Sequence, residues 1–481
     1  MVGLCKWHDF NSKSWSGKLP VVIMVQLVGG IVLSLLSAAS ATVSVPTDEL
    51  TWPHLPKYFH LPPLREQAAI QDAWTKERRD SIPALLQKYN VSGWLISQRE
   101  YAEDTLFWSL KPATAFAARR RTTELFLAVP DAKNNKTHHS WITNTPETDL
   151  WPELKCIIQD EKLHSIAINQ NPDVAFASGM HAGELRAMSI LGKETWKAFV
   201  PVPPMLPIEL VGTMVEGKAL WYRKLMSTAW AMISEGFSER VIAPGESTTT
   251  DVEWWLREKI QQMNYTTWFH PSVSIFRGGE SPFAKIVNGE AEDDNTIKYG
   301  NLLHVDFGVT ALGMNTDTQH MAYVLYPGQT EDDIPRGFLD GLKKANRMQD
   351  IVKDSMEIGV GGDEILRRCR EQMAAEGIEG KVYSHPIGDW GHSAGTVIGM
   401  TNLQDGVPVV GQFPLLPNTF YSVELFAEHF VPEKNATFVF PLEEDVWYDE
   451  GYGWSWVYQR QERFHVIKSP KKSVLQTQYD L

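Results

Sequence analysis

The sequence predicts an α+β protein in two parts, a smaller α/β layer followed by a larger, strand-rich body with flanking helices. Three observations carry this. Early in the chain a long helical pattern runs straight into a short apolar run, the mark of helix followed by buried strand. Beyond about residue 300 the periodicity changes to strands. A proline segment, Pro201-Val202-Pro203-Pro204, lies between the two and cannot continue a helix.

The first part opens with a helical pattern from Arg65 to Tyr89, followed by Val91-Ser92-Gly93-Trp94-Leu95-Ile96 as a buried strand. A second strand, Glu124 to Val129, stops at Pro130. These place an N-terminal α/β domain at 61–210, after a Pro-rich lead-in at 42–60. The second part, 211–468, starts with a helix near Ala219 to Gly236. A further helix is introduced by Thr250-Asp251-Val252-Glu253, which has the form of a capping box. Strands are expected at Leu302 to Thr310, Thr316 to Leu325, Phe420 to Phe426 and Val457 to Ile467, with helices near Pro335 to Ile358 and Asp363 to Ala375. Residues 469–481 read as a polar tail.

At 481 residues, with 43% hydrophobic and 22% charged residues, the chain has the material for two or three domains. Its net charge of −14 argues against a nucleic-acid partner, since phosphate binders concentrate Lys and Arg on one face. The apolar stretch Leu19 to Ala41 follows Lys6, Lys13 and Lys18 and ends in Ala39-Ser40-Ala41, so residues 1–41 read as a secretory signal peptide, with an uncleaved membrane anchor as the alternative. Either way the body is expected in the lumen or outside the cell. Sequons at Asn90, Asn135, Asn264 and Asn435 agree with a secreted glycoprotein. Cys5 would leave with the signal, and Cys156 and Cys369 either pair or remain buried thiols.

The chemistry concentrates in the second part. If Leu303 to Val309 and Asn315 to Tyr323 form one hairpin, its midpoint falls between Ala311 and Leu312, and Asp306 and Asp317 become cross-strand neighbours about 5 Å apart. Gly313 offers a bulge that would shift this register. Two ionised carboxylates at that separation repel, and the arrangement is tolerable mainly with a cation between them or with one protonated. An Asp pair alone is more often two solvated surface residues.

Further segments make the pattern specific. The phrase His304-Val305-Asp306-Phe307-Gly308-Val309 with Asn315-Thr316-Asp317 resembles the first two metal-ligand positions of the pita-bread metallopeptidases. His385 and His392, seven residues apart, match that family's histidine pair, Pro417 to Glu424 its Glu-bearing strand, and Gln461-Glu462-Arg463 its closing Glu. The resemblance is to the aminopeptidase P and prolidase branch, covers about Leu210 to Ile467 well, and extends more loosely to a creatinase-type N-terminal domain. One departure is Pro386, where the family usually has Gly after the ligand His.

The resemblance implies a C-terminal pita-bread fold, an antiparallel sheet with flanking helices. It also implies five metal ligands, Asp306, Asp317, His385, Glu424 and Glu462. Such a mostly oxygen site suits two divalent ions, Mn²⁺ first, with Co²⁺ or Zn²⁺ as alternatives. Within it, His392 would hydrogen-bond the tetrahedral intermediate, Glu424 would shuttle a proton, and His270 would line the substrate pocket. His304 and His320 read as packing or supporting residues, and Arg119-Arg120-Arg121 as a solvated basic run. The implied activity is hydrolysis of the N-terminal bond of peptides with proline second, by a homodimer. Two competitors are a related fold redirected to a small amide or amidino compound and an inactive binding module. Creatinase-type enzymes, which cleave an amidino compound without metal, and inactive modules usually lose ligands, whereas a peptidase fold redirected to a small amide would keep them, and Pro386 leaves room for that.

Overall fold

The computed structural model describes residues 55–143, 149–279 and 295–469. The expected signal segment and the polar tail from residue 470 lie outside the described residues. Among the described residues no helix is long and apolar enough to cross a membrane.

The N-terminal helix α1, Leu64–Lys88, leads into a five-stranded sheet. Its strands are β1 (Gly93–Arg99), β2 (Arg121–Leu127), β3 (His138–Thr143), β4 (Ile166–Ile168) and β5 (Phe199–Pro201), in the order β3-β2-β1-β4-β5. β1 pairs antiparallel with β2 and parallel with β4. β1 is buried on both faces up to Gln98, its first half Gly93-Trp94-Leu95-Ile96 apolar and its second half carrying the buried polar Ser97 and Gln98. The basic run is not wholly a solvated face: Arg121 bonds the fully buried Glu184.

The larger body is a nine-stranded sheet between two helix pairs. On one face lie α2 (Lys218–Gly236) and α3 (Thr249–Gln262), on the other α4 (Arg336–Ser355) and α5 (Gly362–Ala375). The strands are β6 (Ser272–Phe276), β7 (Leu302–Asp306), the two-residue β8 (Thr310–Ala311) and β9 (Met314–Asn315), and β10 (Gln319–Val324). They continue with β11 (Glu379–Val382), β12 (His385–Ile387), β13 (Phe420–Val431), β14 (Ala436–Asp449), β15 (Gly453–Trp456) and β16 (His465–Ile467). The main path runs β11-β13-β14-β10-β7-β6, while β8 and β9 form a separate two-stranded ribbon. Period-two alternation sorts the side chains. Leu303, Val305, Ala322 and Val324 pack with Tyr222, Met226 and Leu256 of α2 and α3. Leu302, Met321 and Tyr323 pack with Phe338, Leu342 and Ile365 of α4 and α5.

Four local expectations change. The capping box sits two residues earlier: Thr248 caps α3 and pairs reciprocally with Asp251, whose short carboxylate reaches the Thr248 amide at 2.8 Å. The Val457 to Ile467 strand shrinks to β16. β14 was not expected at all, because Glu443-Glu444-Asp445 interrupts its apolar alternation. Cys369 is a buried free thiol, so it does not pair with Cys156.

Candidate metal centre

Sheet register assembles the site. Ser272, Asp306, Gln319, Glu443 and Glu424 face one another in a single row across β6, β7, β10, β14 and β13. Neighbouring strands lie about 4.8 Å apart, so the row gathers three acids and a glutamine from two strand pairs, β7 with β10 and β13 with β14, that lie far apart in sequence. β12 pairs with β13 and sets His385 opposite Ser422, two residues from Glu424.

The hairpin register differs from the sequence expectation. Leu312 and Gly313 both have positive φ, 53° and 71°, and form the two-residue turn between β8 and β9. That turn moves the partner of Asp306 from Asp317 to Gln319. Asp317 instead precedes β10, its amide held by the Asp445 carboxylate at 3.3 Å, and its carboxyl group lies within reach of the charge on Asp306. The two acids meet as expected, but diagonally.

His385 supplies the clearest sign of what the site holds. Its Nδ1 lies 3.0 Å from the Pro386 carbonyl and so carries the proton. Its Nε2 therefore presents a lone pair, is buried, and has no hydrogen-bond partner. Around it stand Glu443 Oε1 at 3.6 Å, Asp317 Oδ2 at 3.8 Å and Glu424 Oε2 at 4.0 Å. A lone pair facing three carboxylates is repulsive without a cation or added protons. The ligand atoms of Asp317, His385 and Glu443 come within 4.8 Å of one another, and Asp306 Oδ1 is likewise buried without a partner. Burial and the mutual charges push Asp306, Asp317 and Glu424 well above the usual carboxylate range. The residues present fit a divalent metal centre. Pro386 does not disturb this, since its carbonyl fixes the His385 tautomer and also accepts the Ser393 amide at 2.8 Å.

Glu462 is not part of this group. Its side chain is 70% exposed and pairs at 3.2 Å with Arg460, in the loop before β16, because the expected closing strand does not extend to it. Glu443, 1% exposed, occupies the place expected for it. The signal in the sequence was an acidic triplet inside an otherwise apolar, aromatic segment. Gln319 was also missed. Its amide nitrogen donates to Glu424 Oε1 and, at 2.8 Å, to Glu443 Oε2, while its oxygen accepts from His304 Nε2 at 2.9 Å. His304 thus orients Gln319. His320 lies behind the site, bonded to Glu444 at 2.7 Å and to His465 at 3.0 Å.

His392 does join the site: its ring lies 4.6 Å from that of His385 and 5.2 Å from that of Trp268. Burial and the neighbouring His385 push it down to about 4, so near neutral pH it is an uncharged imidazole able to donate. Asn315 holds the loop that bears it through the carbonyls of Gly388 and Asp389, at 3.1 and 3.0 Å. His270 is not gathered in. Its ring is half exposed and leans on Trp254 and Glu253 of α3, at 5.4 Å between rings and 3.9 Å respectively.

Residues 223–450 match the model of metallopeptidase family M24, so this part of the chain is a metallopeptidase domain of that family, with the pita-bread fold. Among solved structures the chain is similar to an X-Pro aminopeptidase from Thermotoga maritima MSB8, at 15% identity and a TM-score of 0.55, over 80% of this chain and 99% of that one. An Xaa-Pro dipeptidase from Bacillus anthracis gives 14% and 0.51, over 82% and 99%. The His350Ala form of Escherichia coli aminopeptidase P gives 12% and 0.52, over 81% and 96%. Among curated proteins, none matches the chain.

Proposed function

We propose that this metallopeptidase is a secreted exopeptidase that hydrolyses the N-terminal bond of peptides with proline second, using two divalent ions, Mn²⁺ foremost, held by Asp306, Asp317, His385, Glu424 and Glu443. The observation that carries this is the unpartnered His385 Nε2 facing three carboxylates. The fold likeness to Xaa-Pro peptidases supports the substrate class.

When bound, such ions supply an acidified water and polarise the scissile carbonyl. The chain's residues do the rest. Glu424 Oε1 is tied to Gln319, which leaves Oε2 to hold the proton destined for the leaving nitrogen. Neutral His392 donates to the substrate oxygen as negative charge develops there. The four sequon asparagines support a secretory location: each is exposed on a turn, with φ between 49° and 59°. We further infer a homodimer, which sedimentation velocity would test.

The test is hydrolysis of Xaa-Pro dipeptides and Xaa-Pro-Yaa tripeptides by chelator-treated protein, with and without Mn²⁺, alongside metal counting. Metal-restored release of the first residue is expected. About two bound ions with no peptide cleaved would replace the reading with a redirected hydrolase.

A further inference from the structure

The N-terminal part buries a carboxylate that the proposed chemistry leaves unused. Asp104 is fully buried, and burial pushes its carboxyl up to about 6, so near neutral pH it is ionised. The charge is met by the Asn169 side-chain amide, at 2.9 and 3.0 Å from its two oxygens, and by the Leu106 backbone N–H at 3.0 Å. Trp94 Nε1 fixes Asn169 from behind, donating to its oxygen at 2.8 Å, and the Asp104 amide donates to Gln98 Oε1 at 3.0 Å. A Cβ on Gly179 would lie 2.2 Å from the Asp104 carboxyl carbon, so the facing backbone closes directly on the carboxylate.

A buried charge contributes little net stability over an apolar residue of the same volume, and what this one specifies is the segment that follows it. The Asp104 carbonyl accepts the Phe107 N–H at 2.9 Å and the Leu106 carbonyl that of Ser109 at 3.1 Å, so the carboxylate sets the start of one helical turn, Phe107–Leu110. Trp108, Ser109 and Lys111 stand in the wall of a cavity of about 630 Å³ that His392 and Trp268 also line, whereas Asp104 is not in that wall. Leu106 and Leu110 bury the inner face of the turn. At its far end Arg79 of α1 donates to the Leu110 carbonyl at 3.0 Å, but the Arg78 and Thr75 contacts to the Ser109 and Lys111 carbonyls are long, 3.5 and 3.4 Å, and correspondingly weak. We propose that Asp104 is a positioning residue that sets where Trp108, Ser109 and Lys111 stand in the wall of the substrate cavity, and so how tightly substrate is held. This rests on the peptidase reading above.

The test is steady-state hydrolysis of Ala-Pro-Ala by the full chain with Mn²⁺. Asp104→Asn sets an NH₂ against the Asn169 NH₂ and is expected to raise KM about tenfold while kcat stays within about twofold. Combining Asp104→Asn with Asn169→Asp exchanges donor and acceptor, because the carboxylate then accepts from both the new amide and Trp94 Nε1, and should return KM to within about threefold of the parent. An unchanged KM in Asp104→Asn, or a loss of kcat at unchanged KM, would overturn the proposal and leave the peptidase reading intact. A raised KM that the exchange does not recover would assign the loss to the core at large and overturn it too. If Asp104→Asn does not fold, Trp94→Phe, which takes away the donor behind Asn169, is judged by the same split, with a rise in KM of about threefold expected. If the parent cleaves no peptide, the peptidase reading fails and hydrogen–deuterium exchange decides the anchor. Amides of residues 105–111 that exchange about tenfold faster in Asp104→Asn, while those of β1 keep the parental rate, would support it; equal or uniformly faster exchange would overturn it.

Discussion

Replacing Glu443 by Gln separates the two candidate closing ligands, and the expected result has opposite signs with and without metal. Ligand atoms of Asp317 and Glu443 come within 4.8 Å of each other. At an effective dielectric of about 20, two unit charges at that separation repel by about 3.5 kcal/mol. Metal-free protein relieves part of this as burial and mutual charge raise the Asp306, Asp317 and Glu424 carboxyls, and an amide that keeps its oxygen toward Gln319 turns its NH₂ toward Ser422, whose hydroxyl then loses its acceptor. The lost bond is worth about 1 kcal/mol. The metal-free variant should therefore be more stable than the parent by about 1–2 kcal/mol, a Tm rise of about 2–6 °C. The parent should gain about 2.7 kcal/mol from a metal at a hundred times its Kd, and the variant little. Glu462→Gln should change stability by less than about 0.5 kcal/mol and keep the metal response, since it removes one exposed pair with Arg460. Differential scanning fluorimetry with chelator or Mn²⁺ reads all six cases. A metal response that survives in Glu443→Gln, or disappears in Glu462→Gln, would refute the reasoning.

Gln319→Leu should leave two carboxylates without their shared donor and the His304 Nε2 proton without an acceptor, costing about 1–3 kcal/mol and reducing retained metal, as urea unfolding and elemental analysis would show. His465 is pushed down to about 4 by burial, whereas an exposed histidine titrates near 6.5. Between those values the unfolded chain binds a proton that the folded chain does not, so stability falls as pH drops through the window, by up to about 3 kcal/mol. His465→Gln should flatten the acid limb of Tm against pH, and an unchanged slope would remove His465 as its cause. Gly341→Ala should destabilise by about 1–3 kcal/mol, because a Cβ there would lie 2.2 Å from the fully buried Phe440 ring; Phe440→Leu in the same chain should recover part of the loss. If Gly341→Ala is neutral in urea unfolding, the helix-to-sheet contact is looser than this distance implies.

The sequence alone determined the class of this protein. Helix α1 followed by the apolar β1, and the change to alternating strands after residue 300, followed from local periodicity, which needs no partner to be legible. Asp306, Asp317, His385, His392 and Glu424 stood in short phrases whose spacing survives in the chain. The tertiary structure decided which residues meet. The Leu312-Gly313 turn shifted the hairpin and put Gln319, rather than Asp317, opposite Asp306. β14 could not be read from its own sequence, since its acidic triplet is stable inside a sheet only where His385, Gln319, Tyr222 and Trp230 stand against it. Glu443 and Glu462 are both glutamates in aromatic-rich surroundings, and only strand pairing brings one to the row and leaves the other in solvent. The Asp104 anchor was equally invisible, because Trp94, Asp104 and Asn169 lie apart along the chain and meet only where β1 and β4 pair inside the N-terminal sheet.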